Sequence, residues 1–400
     1  MDVIQKVLKN DLCTGCGLCS SLFPSKIVVN KGEYNRPVCS KKLNGDEQAI
    51  FRTVCPGINQ ASIKTNSSHP IWGPIEKCYI GYSNDNEIRY LGSSGGIVTQ
   101  TLLYALDKNI VDLVIQIGVD KRNPLESFSK VSRSREDLLE ATGSRYSPAS
   151  PLEYFLQTLR DNPNKRIAFV GKPCDCVALR NLMSIDNDVK NAVKLIVSFF
   201  CAGTPSRSGV RRVAEALDYN VDIPVENFYF RGKGWPGKTT LVQNGLSTTM
   251  EYSRSWGEIL GPTIQSRCKL CADGTGEVAD IVSADVWHSD DRGYPLFTES
   301  DGQGLVLARS ETGKSIVEKM VINNVITVTD YDIEQLSKVQ VTQFERKSTI
   351  LVRHIAKQIG GFVFFSMSNQ RMMAAAKYAT LYKHLRVFVG SFLRVIKGRM

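Results

Sequence analysis

Three continuous apolar runs, VDLVIQIGV (111–119), RIAFV (166–170) and VKLIVSFF (193–200), punctuate the middle of the chain. Rich in Val, Ile and Phe, they predict strands buried on both faces. Around them, GIVTQTLLYALDK (96–108), SREDLLEA (134–141) and CVALRNLM (176–183) predict helices, and Ser134 with Asp137 forms a capping-box pattern. Strands alternating with helices predict an α/β sheet whose ligands lie at the carboxyl ends of its strands. Shorter runs between 221 and 255 (ENFYF, KTTLVQ, STTMEY) predict an antiparallel insertion. Near the end of the chain Leu381, Leu385 and Val389 recur at helical spacing.

Periodicity is weak over residues 1–70, and SSHPIWGP (67–74) reads as a linker. The expected organisation is therefore an N-terminal segment (1–70), an α/β domain (75–310) and a helical C-terminal region (311–400). Four hundred residues accommodate two or three cores, and 42% hydrophobic with 22% charged residues is ordinary for a soluble enzyme. No apolar stretch reaches the roughly 18 residues of a membrane span. The net charge of +10 is uneven, because residues 346–400 hold eleven Lys and Arg and no Asp or Glu. Such a basic tail suits an acidic partner or an anionic membrane surface, or packs its apolar side on the body with its cations in water. Nothing else in the chain suggests nucleic acid.

The chemistry is concentrated in eleven cysteines. Cys13, Cys16 and Cys19 form C-x-x-C-x-x-C, loosened by Gly15 and Gly17, a spacing that wraps one face of an iron–sulfur cubane. The ferredoxin pattern places a fourth Cys before a Pro, where this chain has Phe23 before Pro24. Cys55, followed by Pro56, is the better substitute, with Cys39 the second choice. A zinc knuckle or a disulfide framework is the alternative. The absence of a charged stretch followed by an apolar core at the start argues against secretion, and so for metal or redox use in a reducing, cytoplasmic setting. A second set can be assembled from Cys174, Cys201, Cys268 and Cys271, with zinc or inert buried thiols as rivals.

Glycine-rich turns accompany the thiols. In LGSSGGIV, Ser93, Ser94, Gly95 and Gly96 open a helix whose bare N–H groups suit an anion, although a plain capped helix fits as well. ATGSRYSP adds hydroxyls, including that of Ser144, and Arg145, suited to a diphosphate or to an ordinary polar loop. Gly171 and Lys172 follow the strand RIAFV, where a cation could stabilise a reduced flavin or simply face water. His288, in ADVWHSDD, is a candidate ligand or proton shuttle.

In this order the motifs CTGCGLC, VCPG, SSGG, GSRY, GKPCD, FFCAGTPS, FRGKGWPGK, RCKLCADGTGEVADIVSADVW and GQGLVLAR resemble the coenzyme F-420 hydrogenase/dehydrogenase beta-subunit family over most of residues 10–310. The resemblance implies an α/β fold: a ferredoxin-like N-terminal cluster segment, then an α/β flavin-binding domain with an antiparallel β insertion, then a helical C-terminal tail. It implies FAD and two 4Fe-4S clusters. SSGG and GSRY, with Tyr146, would form the FAD diphosphate site, Lys172 would act near the isoalloxazine, and the second thiol set would lie nearer the flavin, without Cys176. It also implies an oxidoreductase exchanging electrons with ferredoxin or another one-electron carrier. Members with the deazaflavin coenzyme F-420 pass a hydride between it and FAD, which the resemblance implies here as one source of electrons. Relatives without it include reductases of a vinyl or hydroxymethyl group in chlorophyll synthesis, so such a reductase, or a relay subunit without its own substrate, is the alternative.

Overall fold

The computed structural model describes residues 2–60, 68–286, 296, 299–361 and 371–397. A mixed sheet of eight strands organises it: β1 (Lys77–Ser83), β2 (Leu113–Val119), β3 (Ser127–Ser132), β4 (Ile167–Val170), β5 (Val193–Phe199), β6 (Ile281–Asp285), β7 (Gly304–Ala308) and β8 (Ile326–Asp330). Their order is β8-β1-β7-β6-β5-β4-β2-β3. The neighbours β2, β4, β5 and β6 run parallel; the others join antiparallel. Along β4 the side chains alternate: Ile167 and Phe169 pack with Phe155, Leu179 and Leu182, whereas Ala168 and Val170 pack with Ile97, Leu102 and Ile316. Both faces are thus buried under helices, and this is why the parallel strands read as unbroken apolar runs.

Local departures have local causes. The helix expected from 176 starts at Pro173, a residue suited to a first turn because it has no N–H to leave unpaired. Cys174 therefore sits on the helix rather than in a loop. Ser134 caps its helix by accepting from the Asp137 N–H at 3.2 Å, but the Asp137 carboxylate accepts from the Arg133 N–H at 2.9 Å, so the reciprocal half of the capping box is displaced by one residue. The boundary expected at 310 falls inside the sheet. β8 pairs with β1, and the helix Glu311–Ile322 buries Ile316, Val317 and Met320 in the same core. ITVTD alternates apolar and polar residues, as a half-buried edge strand does.

The N-terminal segment has a small core of its own, centred on Val3, Ile4, Val7, Leu12 and Phe51. It is tied to the sheet domain by Leu152 N–H to the Cys16 carbonyl (3.0 Å) and by the Ser150 hydroxyl to the Gly15 carbonyl (2.8 Å). Strands Val225–Tyr229, Thr239–Gln243 and Leu246–Met250 form a separate antiparallel sheet. The chain closes with helices Val341–Ser348, Ile350–Ile359, Met372–Ala376 and Leu381–Ile396. Part of the basic region is structural, since Lys347 and Arg371 both pair with the buried Glu277.

Candidate functional site

A cleft of about 600 Å³ opens at the carboxyl ends of the parallel strands, bordered by Ile117, Val170, Phe199 and Asp285. One wall is the turn before the helix Ile97–Asp107. Gly95 (φ 64°) and Gly96 (φ 72°) take left-handed backbone there, and Gly96 occupies the cap position with no side-chain bond, so the first N–H groups of the helix are uncapped by any side chain. Ile97, Val98 and Thr99 line the cleft, as do Ser93, Ser94 and Gly96. Gly95 does not line it. A Cβ on Gly96 would meet the Ile88 carbonyl at 2.6 Å, so the turn itself requires glycine there.

Ser144 donates to the Ser93 hydroxyl (2.9 Å), joining the two sequence-predicted turns. Ser94 donates to Asp285 Oδ1 (2.9 Å), and Arg231 grips Asp285 with two bonds (2.6 and 2.8 Å) while also donating to the Ser93 carbonyl (2.8 Å). Asp285, at the end of β6, and Arg231 hold this wall together. Both lie inside motifs noted in the sequence, but a salt bridge between positions 54 apart has no local signal. A second wall is aromatic. Tyr146 lies 4.8 Å from Trp256 and 5.6 Å from Phe230 between ring centres, with Tyr252 beside it. Burial, then Tyr146, holds the Tyr252 phenol well above its ordinary pKa, so this wall stays uncharged.

Arg145 lines the cleft, but its guanidinium is committed elsewhere. It donates to the carbonyls of Pro124 and Glu126 (2.8 Å each) and Phe228 (3.0 Å) and to the Ser127 hydroxyl (3.1 Å). Four of its five N–H groups are thereby used, and the direct diphosphate contact expected of it gives way to a structural role. Burial lowers its pKa to about 10.

At the far wall Lys172 Nζ pairs with Asp175 at 2.7 Å, and the same carboxylate caps the helix by accepting from Lys172 N–H (3.0 Å). Burial disfavours the ammonium, but Asp175 together with Cys174 and Cys201 outweighs it and holds the Lys172 pKa up. Asp175 Oδ1, Thr204 Oγ and Ser283 Oγ are buried, border the cleft and have no hydrogen-bond partner among the described residues. No sequence signal marked these three atoms. His288 lies outside the described residues.

Cys13, Cys16, Cys19 and Cys55 line one small cavity, and the charges of Cys16, Cys13 and Cys55 act on Cys19. Cys39 is exposed and lies apart from that cavity. In the second set, Cys201 and Cys268 act on Cys174, and Cys268 and Cys271 on Cys201; Cys201 itself borders the cleft. Cys176 is fully buried and donates to the Gly171 carbonyl, away from both sets. Burial pushes the thiols of Cys16 and Cys201 up to about 12. Backbone N–H groups oppose this at Cys13, Cys16, Cys19 and Cys55, and Arg346 and Lys172 oppose it at Cys201. Among the described residues, no three His, Cys, Asp or Glu side chains converge closely enough to hold a single metal ion.

The sequence matches the coenzyme F420 hydrogenase/dehydrogenase beta-subunit N-terminal family over residues 78–157 and the corresponding C-terminal family over 164–334, together more than half of the chain. It is 26% identical over 363 residues to an uncharacterized protein of Methanocaldococcus jannaschii, covering 84% of this chain and 94% of that one. It is 24% identical to the coenzyme F420 hydrogenase subunit beta of Methanococcus voltae, covering 62% of this chain and 82% of the relative. Its fold resembles a chain of the F420-reducing [NiFe] hydrogenase complex of Methanosarcina barkeri, with a TM-score of 0.59 and 22% identity over 76% of this chain and 99% of that one.

Proposed function

Because the chain belongs to the coenzyme F420 hydrogenase/dehydrogenase beta-subunit family, a family of oxidoreductases, we propose that it is an iron–sulfur flavoprotein. In this reading it passes electrons between a hydride carrier or organic substrate, FAD, two 4Fe-4S clusters and a one-electron partner such as ferredoxin. The observation that carries it is the cleft itself, where an uncapped helix end, an aromatic wall, Lys172 and the thiol of Cys201 border one space.

The residues suit the groups assigned to them. The uncapped N–H groups of Ile97 and Val98, with the hydroxyls of Ser93 and Ser144, would hold a diphosphate at the positive helix end. The orphaned Asp175 Oδ1, Thr204 Oγ and Ser283 Oγ offer the hydrogen bonds that a polar ring system uses. Tyr146, Tyr252 and Trp256 form an aromatic wall that excludes water. Lys172 keeps a positive charge where negative charge would arrive. FAD, when bound, supplies the conversion between a hydride's electron pair and single electrons.

For the thiols, two sets of four cysteines suit two cubanes. Cys174, Cys201, Cys268 and Cys271 would hold the cluster beside the cleft, and Cys13, Cys16, Cys19 and Cys55 the outer one. A relay role within a larger complex is favoured by the likeness to a named hydrogenase subunit.

Anaerobic purification followed by iron, sulfide and flavin assays tests the cofactors. Spectra of the protein mixed in turn with reduced deazaflavin, NADH, NADPH and reduced ferredoxin then identify the donor. Zinc without acid-labile sulfide overturns the cluster assignment, and a protein that never binds FAD overturns the flavin assignment. Flavin reduction by no small-molecule donor, only by a protein partner, selects the relay.

A further inference from the structure

The helix Leu381–Ile396 presents apolar side chains to water. Leu381 is 84% exposed, Leu385 61%, Leu393 50% and Ile396 66%, with Val389 between them. At 3.6 residues per turn these positions fall on one stripe along the whole helix, about 22 Å long, with Tyr382 on its flank. The inner side is held by Ser391 and Val395, which are buried. The apolar positions whose spacing was legible in the sequence therefore do not pack on the body. An exposed apolar stripe of this length marks a docking surface.

The charge around it selects what docks. Residues 346–400 contain eleven Lys and Arg and no Asp or Glu. Lys347, Arg371 and Lys383 are paired with carboxylates, but Arg386, Arg394 and Lys397 are exposed and form no ion pair among the described residues. Arg353 lies near Arg394; burial first, and then Arg394 and Arg346, lower its pKa, with Glu345 acting the other way. A second copy of the chain would set like charge against like. The helix also lies beyond residue 334, where the family match ends.

No described helix is long and apolar enough to cross a membrane. We infer that the helix Leu381–Ile396 docks lengthwise on an anionic lipid surface. Its apolar stripe enters the boundary between headgroups and acyl chains, and Arg386, Arg394 and Lys397 meet headgroup phosphates. A continuous aliphatic stripe on one convex helix needs no shape-matched partner, which a protein interface would.

The test is co-sedimentation of the full chain with phosphatidylglycerol–phosphatidylcholine vesicles and with phosphatidylcholine vesicles alone. Binding is expected only to the first, and it should fall as salt shortens the Debye length below about 10 Å. Leu381→Asp with Leu385→Asp should cost at least about tenfold in binding with little change in the melting temperature, since these are two of the most exposed side chains of the stripe; Arg386→Glu with Arg394→Glu should cost a similar factor. No binding to the anionic vesicles overturns the inference, as does binding that the apolar double variant retains. A dimer in gel filtration that Leu385→Asp dissociates assigns the stripe to a second copy and overturns it equally.

Discussion

The guanidinium of Arg267 donates at 3.4 Å to the carbonyl of Pro56, the residue after Cys55. It also donates at 3.2 Å to the carbonyl of Leu270, the residue before Cys271. One buried cation thus touches the backbone of both thiol sets, and its charge favours thiolate at Cys13 in one set and at Cys271 in the other. Replacing it by a neutral side chain, Arg267→Met, should therefore lower the potentials of the two proposed clusters together, by about 60 mV for each tenfold change in a one-electron equilibrium. A redox titration followed by electron paramagnetic resonance reads both centres; potentials that do not move remove the shared electrostatic role.

Iron content should separate the two cysteines that compete as the fourth N-terminal ligand. The intact protein should hold about eight iron atoms in two cubanes. Cys55→Ser should bring this to about half, and Cys39→Ser, an exposed position away from the other thiols, should leave it unchanged. The reverse result would move the ligand to Cys39.

Arg145→Ala should act on stability before it acts on flavin. Removing the side chain takes a donor from the Pro124 and Phe228 carbonyls, while the Glu126 carbonyl keeps the Asp120 N–H and the Ser127 hydroxyl keeps Ser147; the cost is roughly 1–3 kcal/mol for each group left buried without a partner. Urea unfolding should show a fall of several kcal/mol, with near-normal flavin affinity in the folded fraction. Normal stability with lost flavin would restore the diphosphate role.

Lys172→Met should slow flavin reduction while both clusters remain, with about a tenfold change for each 1.4 kcal/mol of lost charge stabilisation. The substitution strands the buried carboxylate of Asp175. The double variant Lys172→Met, Asp175→Asn therefore tells a structural loss from an electrostatic one. If the double variant recovers stability and full speed, the lysine served only its partner.

Acid sensitivity has a specific source in His354. Burial depresses its pKa to about 4, and its ring donates to the Leu270 carbonyl at 2.9 Å. The unfolded chain takes up this proton near pH 6.5 and the folded chain only near 4, so stability falls as pH drops through that window. The loss is about 3 kcal/mol by the bottom of it. In His354→Gln the fall in unfolding free energy between those pH values should flatten; an unchanged slope points to other groups.

Much of this was legible in the chain because it is short-range. Apolar runs such as RIAFV and the C-x-x-C-x-x-C spacing are set by neighbours a few residues apart, and β4 and the first thiol set follow from them. The turns SSGG and GSRY were also readable as turns. What they serve was not, because that depends on partners brought close only by the fold. Arg145 has the composition of an anion ligand, yet its carbonyl partners come from residues 124, 126 and 228. Asp285 and Arg231, which brace the cleft, meet only because the insertion returns to the end of β6. The preference for Cys55 over Cys39 rested in the sequence on a following proline; in the structure it rests on which thiol shares a cavity with Cys13, Cys16 and Cys19. The tail helix shows the division most sharply. Its periodicity is inherent in Leu381, Leu385 and Val389, but a period states only that a helix has two sides. Which side faces water is decided by packing, and here Ser391 and Val395 turn inward and leave the larger apolar residues outside.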